Sequence, residues 1–136
     1  MCIRDSVSLP AAIAEAQTEG KLVLADFTGS DWCPHCVTLK KEIFNTPQFK
    51  SWARNNVALL ELDYPKRSQL PAEIRQQNEM LKSRYQISSY PTVLLLDVQG
   101  NVKGKLIYRS GQSPENWVKM ADMRFRAASD SSTIRR

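Results

Sequence analysis

Cys33 and Cys36, two residues apart in Asp31-Trp32-Cys33-Pro34-His35-Cys36, have the type and spacing to do chemistry. Such a pair suits a dithiol/disulfide couple or half of a metal site. Context separates the two. Upstream, Leu22-Val23-Leu24-Ala25-Asp26-Phe27 follows Gly20 as the short apolar run of a strand buried on both faces. Downstream, Val37, Leu39, Lys40, Ile43 and Phe44 are spaced as on a helix. The cysteines therefore belong where a strand turns into the first turn of a helix. Unpaired N–H groups and the positive end of the helix dipole stabilise an anion there, and the anion would be the Cys33 thiolate. The i, i+3 spacing sets Cys36 on the same face one turn deeper. Cys33 is expected to be the exposed nucleophile and Cys36 the shielded resolving thiol.

The metal alternative is short of ligands. A closed zinc site takes four, and beyond the pair the chain offers only Cys2 and His35, so a second chain would have to complete it. His35, beside the nucleophile, can stabilise a thiolate and make the couple more oxidising, or be an inert surface residue. Asp31 adds negative charge that opposes thiolate formation. Asp26 interrupts an apolar strand; a buried lone carboxylate is costly, so it should be protonated with a raised pKa, or paired, unless it points into the loop as a cap.

The 136 residues, 42% hydrophobic and 24% charged, make one good core and no second domain. No run approaches the roughly 18 apolar residues of a membrane helix. The net charge of +5 is scattered rather than clustered, which argues against a nucleic-acid partner. Three cysteines are too few for a disulfide-stapled scaffold. Residues 1–6 resemble translated adapter sequence rather than native protein, so Cys2 carries no functional weight and a missing signal peptide says nothing about location. The globular domain is assigned to 7–128 and a disordered tail to 129–136.

Leu9 to Glu19 reads as a helix capped by Ser8 and stopped by Gly20. After strand 22–27 and the helix from about Cys33, Thr46-Pro47 starts a second helical piece that turns Phe49, Trp52 and Ala53 inward. Val57 to Asp63 is a strand parallel to the first. Tyr64 to Leu70 is an exposed loop, and Pro71 to Tyr85 a helix with Ile74, Met80 or Leu81 and Tyr85 as its buried face. Strands 92–97 and 102–108 form a hairpin. Ser113-Pro114-Glu115 opens a last helix that runs to about Ala128, with Trp117 in the core.

Trp-Cys-x-x-Cys after a strand ending Asp-Phe, with a distant Tyr90-Pro91-Thr92 before another apolar strand, resembles the thioredoxin superfamily. Thr28 to Cys33 together with Asp63-Tyr64-Pro65 is similar to a bacterial group of thioredoxin-like proteins with a long insertion before the cis-proline. The resemblance spans roughly residues 9–127. It implies an α/β thioredoxin-like fold, a central mixed four-stranded sheet in the order 57–63, 22–27, 92–97, 102–108 with helices on both faces. It implies that Asp26 moves protons to and from Cys36, that Pro91 is cis, and that Trp32, Pro34, Tyr90 and Pro91 contact substrate.

The expected function is protein-disulfide oxidoreduction. Cys33, Cys36, Asp26 and His35 are the catalytic set, no cofactor is needed, and the partners are protein disulfides and a thiol–disulfide redox protein. Trp32 and the compact core resemble reductases. The Pro34-His35 pair is instead shared with a periplasmic oxidase family, whose potential is about −120 mV against about −270 mV for thioredoxin. Reduction is favoured, with disulfide donation or isomerisation as the alternative. A redox-inert or metal-binding interaction module is the alternative of another class. A monomer outside the cytoplasm of a bacterium is expected.

Overall fold

The computed structural model describes residues 6–134. Most of the suspect N-terminal segment, Cys2 included, lies outside the described residues. Ser6 does not: its backbone bridges the outer edge of the 57–63 strand, donating to the Leu59 carbonyl and accepting from the Glu61 amide.

Helix α1 (Leu9–Glu19) starts on the Ser8 hydroxyl, which accepts from the Ala11 amide, and stops at Gly20 with φ of 68°. The left-handed conformation there is one that glycine adopts without steric cost. Strand β1 (Leu22–Thr28) leads to α2 (Pro34–Leu39), which runs directly into a π-helical turn, Lys40–Phe44. Thr46 caps α3 (Pro47–Asn56) by accepting from the Phe49 amide. Then come β2 (Val57–Asp63), α4 (Ala72–Arg84), β3 (Thr92–Leu96), β4 (Val102–Leu106) and α5 (Pro114–Ile134).

The sheet order is β2-β1-β3-β4, as expected. β1 is central, parallel to β2 from Leu22↔Val57 to Thr28↔Asp63 and antiparallel to β3 from Val23↔Leu96 to Phe27↔Thr92. Alternation along β1 sorts the core into two layers. Val23, Ala25 and Phe27 pack with Ala12, Ala16 and Leu81 beneath α1 and α4. Leu24 packs on the other face with Leu39, Ile43, Phe49, Trp52 and Trp117 from α2, the π turn, α3 and α5. Asp26 shares the Leu24 face, and so lies on the α2 side of the sheet.

Some boundaries differ from expectation. β3 ends before Asp97 because that carboxylate accepts the amides of Gln99 and Asn101 and so belongs to the turn. β4 ends at Leu106; beyond it the Ile107 carbonyl accepts from the Trp117 indole instead of a neighbouring strand. α5 continues past Ala128 to Ile134, since the polar residues that follow include no glycine or proline to break it. On α4, Leu81 is the buried member of the Met80/Leu81 pair, and Met80 is 62% exposed. Buried Asn78 was not expected. It donates to the Asp63 carbonyl and its own carbonyl accepts from the Tyr64 hydroxyl, tying α4 to the end of β2.

Candidate functional site

Cys33 is the N-cap of α2. Its backbone is extended and its sulfur accepts the Cys36 amide at 3.3 Å. That sulfur stands where a capping oxygen usually stands, against amides that no carbonyl of the helix can satisfy. A thiolate at Cys33 would be held by the same donor and by the dipole. Opposite it lies the carbonyl of Tyr90, 3.7 Å from Cys33 Sγ, and the Tyr90–Pro91 peptide is cis. Both thiols are free.

The expected contrast in exposure is not present. Cys33 is 5% exposed and Cys36 4%, because the Tyr90 side of the site covers Cys33 as closely as the sheet covers Cys36. The two thiols differ in environment instead. Burial pushes the Cys36 thiol up to about 12, the adjacent Cys33 thiol adds to the rise, and donation from the Gly29 amide at 3.4 Å only partly opposes it. Cys36 is held protonated.

Below Cys36 is a cavity of about 250 Å³ lined by Asp26, Thr28, Lys40 and Glu61 among others. Asp26 is half-buried there, opposite Glu61 across the β1–β2 ladder, and Lys40 Nζ stands 3.8 Å from a Glu61 oxygen. Lys40 and Glu61 escaped the sequence reading. Glu61 had a findable signal: it interrupts an apolar strand as Asp26 does, and the parallel register places the two side by side. Lys40 had none, since along the chain it reads as one more polar helical position and it meets Glu61 only across the fold.

Asp31 is bound to the 64–70 loop. Its carboxylate accepts the amides of Lys66 and Arg67, each at 2.9 Å, and the hydrogen bond from Lys66 is the main reason its pKa lies below the ordinary 3.8. The negative charge expected to oppose the Cys33 thiolate is thus committed to the 64–70 loop. Asp63 returns the contact, accepting from the Ser30 amide and hydroxyl. Trp32 completes the strap: its indole donates to the Tyr64 carbonyl at 2.7 Å, and Lys66 Nζ lies 4.0 Å from its ring centre. Gly29 allows this arrangement, since a Cβ there would collide with the Trp32 indole. The signal for the strap was partly visible, as Asp31 and Asp63 sit in the two motifs noted above, but their pairing with loop amides was not.

Trp32 and Tyr90 meet edge to face, ring centres 5.6 Å apart, beside the nucleophile. Pro34 and His35 are exposed on the first turn of α2, and His35 lines neither the cavity below Cys36 nor a second one beside Trp32.

Comparison with known proteins agrees with this geometry. The thioredoxin-like domain family matches residues 9–122. The disulfide bond reductase DsbH of Chlamydia pneumoniae is 29% identical over 104 residues, covering 76% of this chain and 63% of DsbH. The thioredoxin-related protein DsbJ of the same organism is 30% identical over 115 residues, covering 84% of this chain and 32% of DsbJ. The chain thus spans less than two thirds of either relative. Among solved structures, a DsbH oxidoreductase superimposes with a TM-score of 0.82 at 26% identity, over 89% of this chain and 83% of that one. A Thermus thermophilus thioredoxin shares the fold, with a TM-score of 0.70 at 18% identity over 96% and 94% of the two chains.

Proposed function

Because the chain belongs to the thioredoxin-like domain family, we propose that it is a thiol–disulfide oxidoreductase that reduces protein disulfides through Cys33 and Cys36. The observation that carries this is the helix-capping Cys33 sulfur, which accepts the Cys36 amide while the Tyr90 carbonyl stands beside it.

The Cys33 thiolate attacks one sulfur of a substrate disulfide. That S–S bond breaks, a mixed disulfide forms, and the departing substrate sulfur leaves as a thiolate and takes a proton. Cys36 then loses its proton and attacks Cys33 Sγ, which releases the second substrate thiol and leaves the Cys33–Cys36 disulfide. Two electrons pass from the dithiol to the substrate, so no further cofactor is required. The high pKa of Cys36 makes its deprotonation the demanding event. Asp26, on the wall of the cavity below it, is the base in this reading. An extended substrate segment would pair with the Tyr90 backbone and lie against Trp32, Pro34 and Pro91. The protein works as a monomer outside the cytoplasm of a bacterium, recharged by a separate thiol–disulfide partner.

Reduction is favoured because the relative DsbH is named a disulfide bond reductase and because His35, exposed on α2, lines neither of the two cavities beside the thiols. Insulin reduction tests the reading. The intact protein should accelerate it and Cys33→Ser should match the uncatalysed background; equal rates for the two would overturn it. A second reading, disulfide donation, rests on His35 standing next but one to Cys33. Equilibration with glutathione buffers separates the two: a potential near about −270 mV supports the reductase, and one near about −120 mV the donor.

A further inference from the structure

A second cavity, about 600 Å³, opens beside the nucleophile between the 64–70 loop and α4. Trp32, which precedes Cys33 in the chain, and Tyr90, whose carbonyl stands beside the Cys33 sulfur, both line it. Tyr64 lies against Tyr90, ring centres 5.3 Å apart. Three cations, Lys66, Arg75 and Lys82, line the remainder. Two of them are posed over aromatic faces, Lys66 over Trp32 at 4.0 Å and Lys82 over Tyr64 at 6.0 Å. Among the described residues none of the three is in an ion pair.

The wall also holds two carboxylates, Asp63 and Glu79. Asp63 accepts from the Ser30 amide and hydroxyl and keeps its charge, so three cations face two carboxylates and the lining carries a net positive charge. Charged groups gathered in a concave site focus their field, so the cavity attracts anions from solution. Its position selects which ones. A substrate segment laid along the Tyr90 backbone with its cysteine at Cys33 sends the neighbouring side chains past Trp32 into this space.

We propose that the cavity is a substrate subsite that takes Asp or Glu side chains flanking the cysteine of the disulfide being reduced. The assignment rests on the reductase reading and sharpens it: the preferred substrates are disulfides set in acidic segments. Lys66, Arg75 and Lys82 bind the carboxylates, and Trp32 and Tyr64 hold the two lysine ammonium groups in place by cation–π attraction.

The test uses three disulfide-linked peptide dimers, identical except that Glu, Gln or Lys flanks the cysteine on both sides. The pre-reduced protein is mixed with each, and the second-order rate is followed by tryptophan fluorescence. Rates are divided by those of a small neutral dithiol, which removes the peptides' own differences in thiol reactivity. The normalised Glu rate should exceed the Lys rate by about tenfold at low salt, with Gln between. The ratio should approach one at about 1 M NaCl, where the screening length is ~3 Å. Lys66→Gln/Arg75→Gln/Lys82→Gln should bring the ratio close to one at low salt. Lys103→Gln/Lys105→Gln/Lys119→Gln removes equal charge from β4 and α5, outside the cavity, and should keep the preference. Equal normalised rates in the wild type, or a preference that survives in the cavity variant, would overturn the subsite while leaving the reductase intact. If no peptide is reduced at all, the reductase reading fails and the subsite falls with it.

Discussion

At the residue scale, two thiols one helical turn apart have been given different chemistry by what surrounds them. Cys33 caps a helix; Cys36 is closed in by the sheet, and burial raises its pKa to about 12 from the ordinary 9.0. A group whose folded-state pKa is raised keeps its proton through neutral pH, and whatever stability the raised value contributes is present below pH 9.0 and lost as pH climbs towards 12. Alkylation of Cys36 in a Cys33→Ser variant should therefore show a midpoint above 9.0. That midpoint should also lie below the wild-type value, because the substitution removes the Cys33 thiol, the second cause of the rise. Iodoacetamide labelling across pH, read by mass spectrometry, measures it. A midpoint at 9.0 or lower would refute the environment assigned to Cys36. Asp26 and Glu61 line the same cavity as Cys36.

Elements explain why the dithiol loop keeps its shape. The loop from Gly29 to Trp32 is joined to residues 63–70 at three points: Ser30 to Asp63, Asp31 to the amides of Lys66 and Arg67, and Trp32 to the Tyr64 carbonyl. Asn78 then fastens that segment to α4. The Asp31 carboxylate is ionised to a lower pH than usual because it accepts backbone donors. A depressed carboxylate adds stability that is complete above the ordinary 3.8 and fades as pH falls through the folded-state value. Asp31→Asn should leave the fold intact at neutral pH but speed amide hydrogen exchange at Lys66 and Arg67. The wild-type loop should show the same loosening only at pH below 3.8. Unchanged exchange at both amides would count against the strap.

On the scale of the whole molecule, the site depends on two core layers divided by the sheet. The layer beneath α2 is aromatic: Phe49 and Trp117 ring centres are 5.8 Å apart, and Phe44 packs edge to face on Trp117 at 5.7 Å. Trp117 is fully buried and its indole donates to the Ile107 carbonyl. Trp117→Ala should cost about 3–5 kcal/mol, a loss of packing and a cavity together, and the orphaned carbonyl adds to it. Urea unfolding of the reduced protein would read this as a lower midpoint with an unchanged slope. A loss under about 1 kcal/mol would mean that the layer collapses to fill the space. No helix among the described residues is long and apolar enough to cross a membrane.

Local pattern alone determined much of this protein. Ser8 and Gly20 bracket α1, Thr46-Pro47 starts α3, and the apolar runs 22–27 and 57–63 become adjacent parallel strands, because caps and short apolar strands express short-range sterics and burial. The Cys33–Cys36 spacing and the Tyr90–Pro91 turn were equally legible, each being a property of a few consecutive residues. Tertiary structure alone decided the rest. Cys33 proved as buried as Cys36 because a residue 57 positions away covers it. Asp31 serves the 64–70 loop rather than the thiolate, and Lys40 meets Glu61 from a π turn that no residue pattern announces. Lys66, Arg75 and Lys82 read as scattered surface charge along the chain and converge only when α4 packs beside the dithiol loop. Capping and periodicity act over one or two turns of chain, whereas burial, charge pairing and cavities arise between segments that the fold alone brings together.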